Sequence, residues 1–228
     1  MVLKKFSITG PICVVLPQKE NGIKSLKKNK KFIYLVSPTS ISKKFYKDLE
    51  KIFKTKKIYY FQLRLKKENK IKIIKIAKRI RKLTKKYNVK FIINDNPNLA
   101  IKINADGSHI GQKDFSIKEA RKILKNKILG VTCHNSLKLV RNAIKNGADY
   151  IALGSFFNTK TKKIKFKASF RTLKKVKKFS EVPIIAIGGI NNTNYTKVLL
   201  NKANFLAISS YIWKNKTLTP EEALKKIK

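Results

Sequence analysis

Ile58-Tyr59-Tyr60-Phe61-Gln62-Leu63-Arg64-Leu65-Lys66 is the stretch on which the reading of this chain turns. Its β-branched and aromatic residues predict a buried strand. Side chains alternate along a strand, so Gln62, Arg64 and Lys66 share one face. If that face points into an α/β core, two cations need a reason to be there. Buried charge is costly unless paired, and Arg and Lys converging on one spot suit a phosphate or pyrophosphate. The alternative is that Lys66 opens a solvated basic turn, since Lys67 follows at once.

The same kind of strand recurs on both sides. Phe32-Ile33-Tyr34-Leu35-Val36 reads as a first buried strand, closed by Ser37-Pro38, and 41–54 carries apolar residues at helical spacing. A long amphipathic helix over about 70–87 follows the charged stretch. Beyond it, strands at 89–93, 107–110, 128–131, 150–153, 183–187 and 205–208 alternate with helices. The helices cover about 98–103, 116–124, 136–146, 169–178, 193–201 and 220–227. Ser116 with Glu119 predicts a capping box, and Thr219 caps the last helix. Eight strand–helix units with continuous apolar strands favour a single (β/α)8 TIM barrel, class α/β, over an open doubly wound sheet. The barrel is expected over 32–228. Residues 1–31 form a short N-terminal extension, basic, with an apolar patch at 11–17 but no convincing cleavage site.

A chain of 228 residues, 43% hydrophobic, is long enough for one sizeable core. The formal net charge of +43 suggests nucleic acid, but the Lys are dispersed along the whole chain and outnumber Arg. A general compositional bias would place them at most tolerant surface sites. The expectation is no specific nucleic-acid partner, with weak non-specific polyanion binding in low salt. Cys13 and Cys133 have neither metal spacing nor a disulfide framework, which suits a reducing, cytoplasmic setting. No apolar run reaches membrane-spanning length, so no membrane partner is expected.

In such a barrel the strand C-termini carry the chemistry. The third strand ends in Asn94-Asp95, and the fourth runs into Gly111-Gln112-Lys113-Asp114. The fifth ends in Thr132-Cys133-His134, and the sixth leads into Asn158-Thr159-Lys160-Thr161-Lys162. Only 12 residues are Asp or Glu, so Asp95 and Asp114 at neighbouring strand ends stand out. They suit Mg2+, which takes oxygen ligands and keeps waters and substrate phosphates in its shell. Each could instead cap the helix that follows it. Gly188-Gly189 after the seventh strand lets backbone amides approach an anion, and the Ser209-Ser210 turn adds donors. Two anion sites, one with metal ligands, imply two phosphorylated substrates or one phosphorylated at both ends.

Gln62-Leu63-Arg64-Leu65-Lys66, Ile93-Asn94-Asp95, the run from Ala105 to Asp114, Thr159-Lys160-Thr161-Lys162 and Ala186-Ile187-Gly188-Gly189-Ile190 together resemble the thiamine phosphate synthases, over about 32–212. The resemblance implies a barrel that joins 4-amino-5-hydroxymethyl-2-methylpyrimidine diphosphate to a thiazole phosphate in thiamine biosynthesis, releasing pyrophosphate. It implies that Gln62, Arg64, Lys66 and Lys162 hold the pyrophosphate and that Asn94 contacts the pyrimidine. Asp95 and Asp114 would ligate Mg2+. Thr159, Thr161, Gly189, Ile208 and Ser209 would hold the thiazole phosphate, and Thr132 stands where the family usually has Ser. Arg64, Lys66, Lys162 and Thr132 are thus the expected catalytic residues. Small-molecule substrates are the expected partners, and a homo-oligomer is compatible with the family. Asn96, Lys113 and Ser155 also depart from the family pattern.

Two other functions compete. A thiazole tautomerase of the same superfamily would use His134, but it has no pyrophosphate to bind and no need of Arg64, Lys66, Asp95, Asp114 and Lys162. A non-catalytic polyanion-binding barrel would concentrate basic residues and stacking aromatics on one face, whereas here the aromatics sit at core spacing. His109 is expected inside the barrel.

Overall fold

The computed structural model describes residues 32–158 and 167–227. The expected extension 1–31 and the residues Thr159, Thr161 and Lys162 lie outside them. Eight parallel strands close into a barrel in chain order: β1 (Ile33–Val36), β2 (Ile58–Leu63), β3 (Lys90–Asn94), β4 (Gly107–Ile110), β5 (Ile128–His134), β6 (Tyr150–Gly154), β7 (Ile184–Ile187) and β8 (Phe205–Ile208). Between them run α1 (Phe45–Lys54), α2 (Lys70–Lys86), α3 (Pro97–Lys102), α4 (Ile117–Leu124), α5 (Leu137–Lys145), α6 (Phe170–Phe179) and α7 (Tyr195–Leu200). After β8 come α8 (Ser210–Trp213) and α9 (Pro220–Lys225).

The two-residue period of the strands divides the core in two. Ile33, Leu35, Phe61, Leu63, Phe91 and Ile93 face outward and pack under the helices. Tyr34, Val36, Tyr60, Ile92, Tyr150 and Phe205 face the barrel interior as a separate cluster. The lower interior is unusually aromatic, with Tyr34, Tyr60, Tyr150 and Phe205 ring centres 5.2–5.8 Å apart.

The barrel floor is pinned by a motif repeated before β4, β6 and β8. Asp106, Asp149 and Asn204 each precede an even-numbered strand and accept a hydrogen bond from the backbone N–H of Phe91, Leu129 or Ile184 in the strand before it. Asp106 also takes Arg81 at 2.6 Å, and Asp149 takes Arg121 at 2.6 Å. Each acidic or amide residue follows a buried Ala, which follows a residue at positive φ (Asn104, Gly147 or Lys202) that ends the preceding helix.

Three local expectations change. Strand β2 stops at Leu63 instead of running to Lys66, because the Arg64 N–H turns to the Ser37 hydroxyl, 2.9 Å away. Helix α1 starts at Phe45 and not at 41, with the Phe45 N–H taken by Ser42. The Ser209-Ser210 turn is the start of a short helix, α8. The predicted capping box of Ser116 with Glu119 holds, as does the predicted cap Thr219, which forms a further box with Glu222. Among the described residues no helix is long and apolar enough to cross a membrane.

Candidate active site

The C-terminal mouth of the barrel gathers the residues singled out from sequence. Gln62 is the last inward residue of β2, buried, and its amide N–H donates to Asn94 Oδ1 at 2.8 Å. Arg64 and Lys66 follow in the loop. Lys66 Nζ lies 2.8 Å from Asp95 Oδ2, with the lysine side chain 53% exposed and the carboxylate 22%. Both cations therefore lie beyond the end of the strand, and Lys66 reaches Asp95 from an exposed rim. Arg64 nevertheless lies close enough to His109 for its charge to act on the imidazole.

Neither Asp95 nor Asp114 is a helix cap. The cap of α3 is Asn96, whose side chain accepts the Leu99 N–H, and the cap of α4 is Ser116. Asn96, a departure from the family pattern, thus has a structural explanation. Asp95 adopts φ +58, a conformation that Asp and Asn tolerate better than most residues, and its N–H donates to the His109 carbonyl. Asp114 accepts the Gly111 N–H at 3.0 Å and faces Asp95. Burial raises the Asp114 pKa, and the neighbouring charge and hydrogen bond of Asp95 raise it further, against the Gly111 amide and Lys66. Two carboxylates held together against their repulsion, with Lys66 on one of them, suit a cation between them. Among the described residues no three His, Cys, Asp or Glu side chains converge on a metal position. A pair of carboxylates is nevertheless the protein donor set that Mg2+ uses with a phosphorylated substrate.

Beside this pair, a cleft of about 320 Å3 opens between the ends of β2 and β3 and helices α2 and α3. Lys66, Asn94 and Asp95 line its polar side and Leu65, Ile73 and Leu99 its apolar wall. Across the mouth, Gly188 (φ +106) and Gly189 (φ +63) occupy left-handed conformations. A Cβ on Gly189 would stand 2.3 Å from the Asn158 carbonyl oxygen, so the loop after β6 leaves the barrel directly against the glycine turn. Ser155 Oγ donates to the Phe157 carbonyl at 2.7 Å, which keeps that departure tight. Ile208 is buried, and Ser209 Oγ donates to the Ser37 carbonyl at 3.2 Å. Ser37 thereby ties the Arg64 loop to the Ser209 turn. The sequence marked it only as a strand end.

His109 lies inside the barrel as expected. Its Nε2 is 2.8 Å from Thr132 Oγ1 and its Nδ1 is 3.1 Å from the Tyr150 hydroxyl. Gln112 also donates its side-chain amide to the Thr132 carbonyl. Burial, with Arg64 nearby, lowers the His109 pKa to about 4 against a partial offset from Asp95, so the imidazole is neutral. His134 stands at the end of β5 at φ +52 and has interactions of its own. Cys133 is buried, with its thiol pKa pushed up to about 12, and is unsuited to nucleophilic work. The links from Tyr34 through Tyr150 to His109 were not foreseen. Hydroxyls on inward positions of otherwise apolar strands were the available signal.

The family model described as thiamine monophosphate synthase matches residues 33–212. The thiamine-phosphate synthase of Pelagibacter ubique is 57% identical over 207 residues, covering 90% of this chain and 100% of that protein. The thiamine-phosphate synthase of Clostridioides difficile is 40% identical over 200 residues, 86% of this chain and 94% of its own length. Among solved structures, a thiamine phosphate pyrophosphorylase from Pyrococcus furiosus superposes with a TM-score of 0.76 at 26% identity, covering 87% of this chain and 94% of that one.

Proposed function

The chain belongs to the thiamine monophosphate synthase family and is a transferase of that type, and we propose that its barrel joins 4-amino-5-hydroxymethyl-2-methylpyrimidine diphosphate to a thiazole phosphate. The observation that carries this reading is the convergence of Arg64, Lys66, Asp95 and Asp114 around the Gln62–Asn94 pair at adjoining strand ends. Gln62 and Asn94, hydrogen-bonded to one another, meet the pyrimidine edge. Arg64 and Lys66 meet the diphosphate, with Lys162 and the hydroxyl of Thr132. Thr159, Thr161, Gly189, Ile208 and Ser209 take the thiazole phosphate on the other side of the mouth.

In the reaction, the bond between the pyrimidine methylene carbon and the diphosphate oxygen breaks, and its electron pair leaves with pyrophosphate. The thiazole nitrogen then supplies the pair that closes the new carbon–nitrogen bond. No proton has to be removed, so the barrel's tasks are to neutralise the leaving charge and to aim the nucleophile. Asp95 and Asp114 would hold Mg2+, which when bound neutralises charge on the leaving pyrophosphate. Lys66 reaches Asp95 from the rim, and Arg64 supplies a second positive charge from the same strand end. A tautomerase would need neither this cation pair nor the carboxylate pair.

The test incubates purified protein with the pyrimidine diphosphate, thiazole phosphate and Mg2+, and follows thiamine phosphate by fluorescence after oxidation to thiochrome. Mg2+-dependent product that vanishes in Arg64→Ala is expected. No product from folded protein with both substrates intact would overturn the reading.

A further inference from the structure

An unbroken hydrogen-bond chain runs up the barrel interior: Tyr34 hydroxyl to Tyr150 hydroxyl at 2.8 Å, Tyr150 to His109 Nδ1 at 3.1 Å, and His109 Nε2 to Thr132 Oγ1 at 2.8 Å. Its lower members are sealed, with Tyr34 2% exposed and Tyr150 fully buried, while Thr132 is half-buried at the mouth. Gly130 makes the path: a Cβ there would lie 1.9 Å from the Tyr150 ring.

His109 is buried with a hydroxyl on each ring nitrogen and a carboxylate on neither, which suits an uncharged ring with one proton, so the chain can point in two directions. Pointing down, Thr132 donates to Nε2, Nδ1–H donates to Tyr150, Tyr150 donates to Tyr34, and the Tyr34 hydrogen has no acceptor among the described residues. Pointing up, Tyr34 donates to Tyr150, Tyr150 to Nδ1, and Nε2–H to Thr132, which leaves the Thr132 hydrogen free at the mouth. An unpaired buried donor is costly, whereas a hydroxyl at the mouth can use water or substrate. The upward direction wins.

We propose that Tyr150, backed by Tyr34, is a positioning residue that locks His109 in the Nε2–H tautomer and so turns the Thr132 hydroxyl hydrogen toward the departing pyrophosphate. The catalytic consequence rests on the transferase reading above; the tautomer does not. Tyr150 is the decisive member. With Tyr34→Phe the Tyr150 hydrogen still has His109 as its one acceptor. With Tyr150→Phe, Nδ1 loses its donor and Thr132 can turn inward.

The chain has two histidines, so 15N-histidine labelling gives a simple spectrum, and a His134→Asn variant assigns it. The wild type is expected to show hydrogen on Nε2 and an accepting Nδ1. Tyr34→Phe should retain that pattern, and Tyr150→Phe should mix the tautomers. In turnover, Tyr150→Phe should lower kcat by about fivefold to tenfold with little change in KM, and Tyr34→Phe by less than about twofold. Tyr34→Phe removes the tyrosine–tyrosine hydrogen bond alone, and Tyr150→Phe removes that bond and the one to His109, so a merely structural role predicts stability losses in that order with the Nε2–H tautomer retained in both. A wild-type proton on Nδ1, or equal losses of kcat in the two variants, would overturn the proposal. The nitrogen spectrum needs no substrate and is decided independently of the reaction assigned to the barrel.

Discussion

The two ends of the barrel use charge in opposite ways. At the floor, Asp106 and Asp149 each combine an arginine partner with a backbone N–H of the preceding strand. Charges there are matched to fixed partners and hold strands in register. At the mouth, Asp95 faces Asp114, Lys66 reaches in from an exposed rim, and Arg64 follows the end of β2 near enough to His109 for its charge to act on the ring. The one ion pair there, Lys66 with Asp95, reaches in from an exposed rim and leaves Asp114 facing a second carboxylate instead of an arginine. The difference separates residues that build this barrel from residues we assign to its chemistry, even in a chain with 55 Lys and Arg against 12 Asp and Glu.

The largest effect should come from the mouth. Asp95→Asn keeps a residue that tolerates positive φ but removes a charge, and it should lower Mg2+-dependent turnover by about a hundredfold to a thousandfold. Its unfolding midpoint should stay close to wild type. Loss of stability in proportion to loss of turnover would erase the distinction between the two ends.

Acid should expose the buried interior next. His109 has its pKa lowered to about 4 in the fold, whereas an exposed His titrates near 6.5. Between those values the unfolded chain binds the extra proton, so stability falls as pH drops through that window, by up to about 3 kcal/mol at its lower end. Asp95, Arg64 and Tyr150 are the groups that face or flank the imidazole. Urea unfolding at a series of pH values measures the slope, and His109→Gln should remove this residue's share of it.

A smaller loss is expected at the floor. Asp106→Ala leaves the Arg81 guanidinium half-buried and unpaired and the Phe91 N–H without its acceptor, at a cost of about 2 kcal/mol. Denaturation would show the loss, while kcat at the distant mouth should stay within about twofold of wild type. A large drop in kcat without loss of stability would break the comparison from the other side.

These outcomes also mark what the sequence could reveal. The barrel was legible because each strand is a short continuous apolar run between helical patterns, and because Ser116 with Glu119, and Thr219, announce helix starts locally. The end of β2 was not, since apolar and polar residues go on alternating through Leu65. Only the capture of the Arg64 N–H by Ser37, 27 positions away, stops the strand. The candidate site was legible as residue types: Gln62, Arg64, Lys66, Asn94, Asp95 and Asp114 do meet at one end. Which charges are paired and which are left for a ligand depends on contacts across the barrel, as does the link from Tyr34 to Thr132.

The most direct test of this account is the urea midpoint of Asp114→Asn in metal-free buffer. The amide can still accept the Gly111 N–H but no longer repels Asp95, so the account predicts a midpoint equal to or above that of the wild type. A fall as large as that of Asp106→Ala would mean that the mouth carboxylates hold the fold together as the floor carboxylates do, and would contradict it.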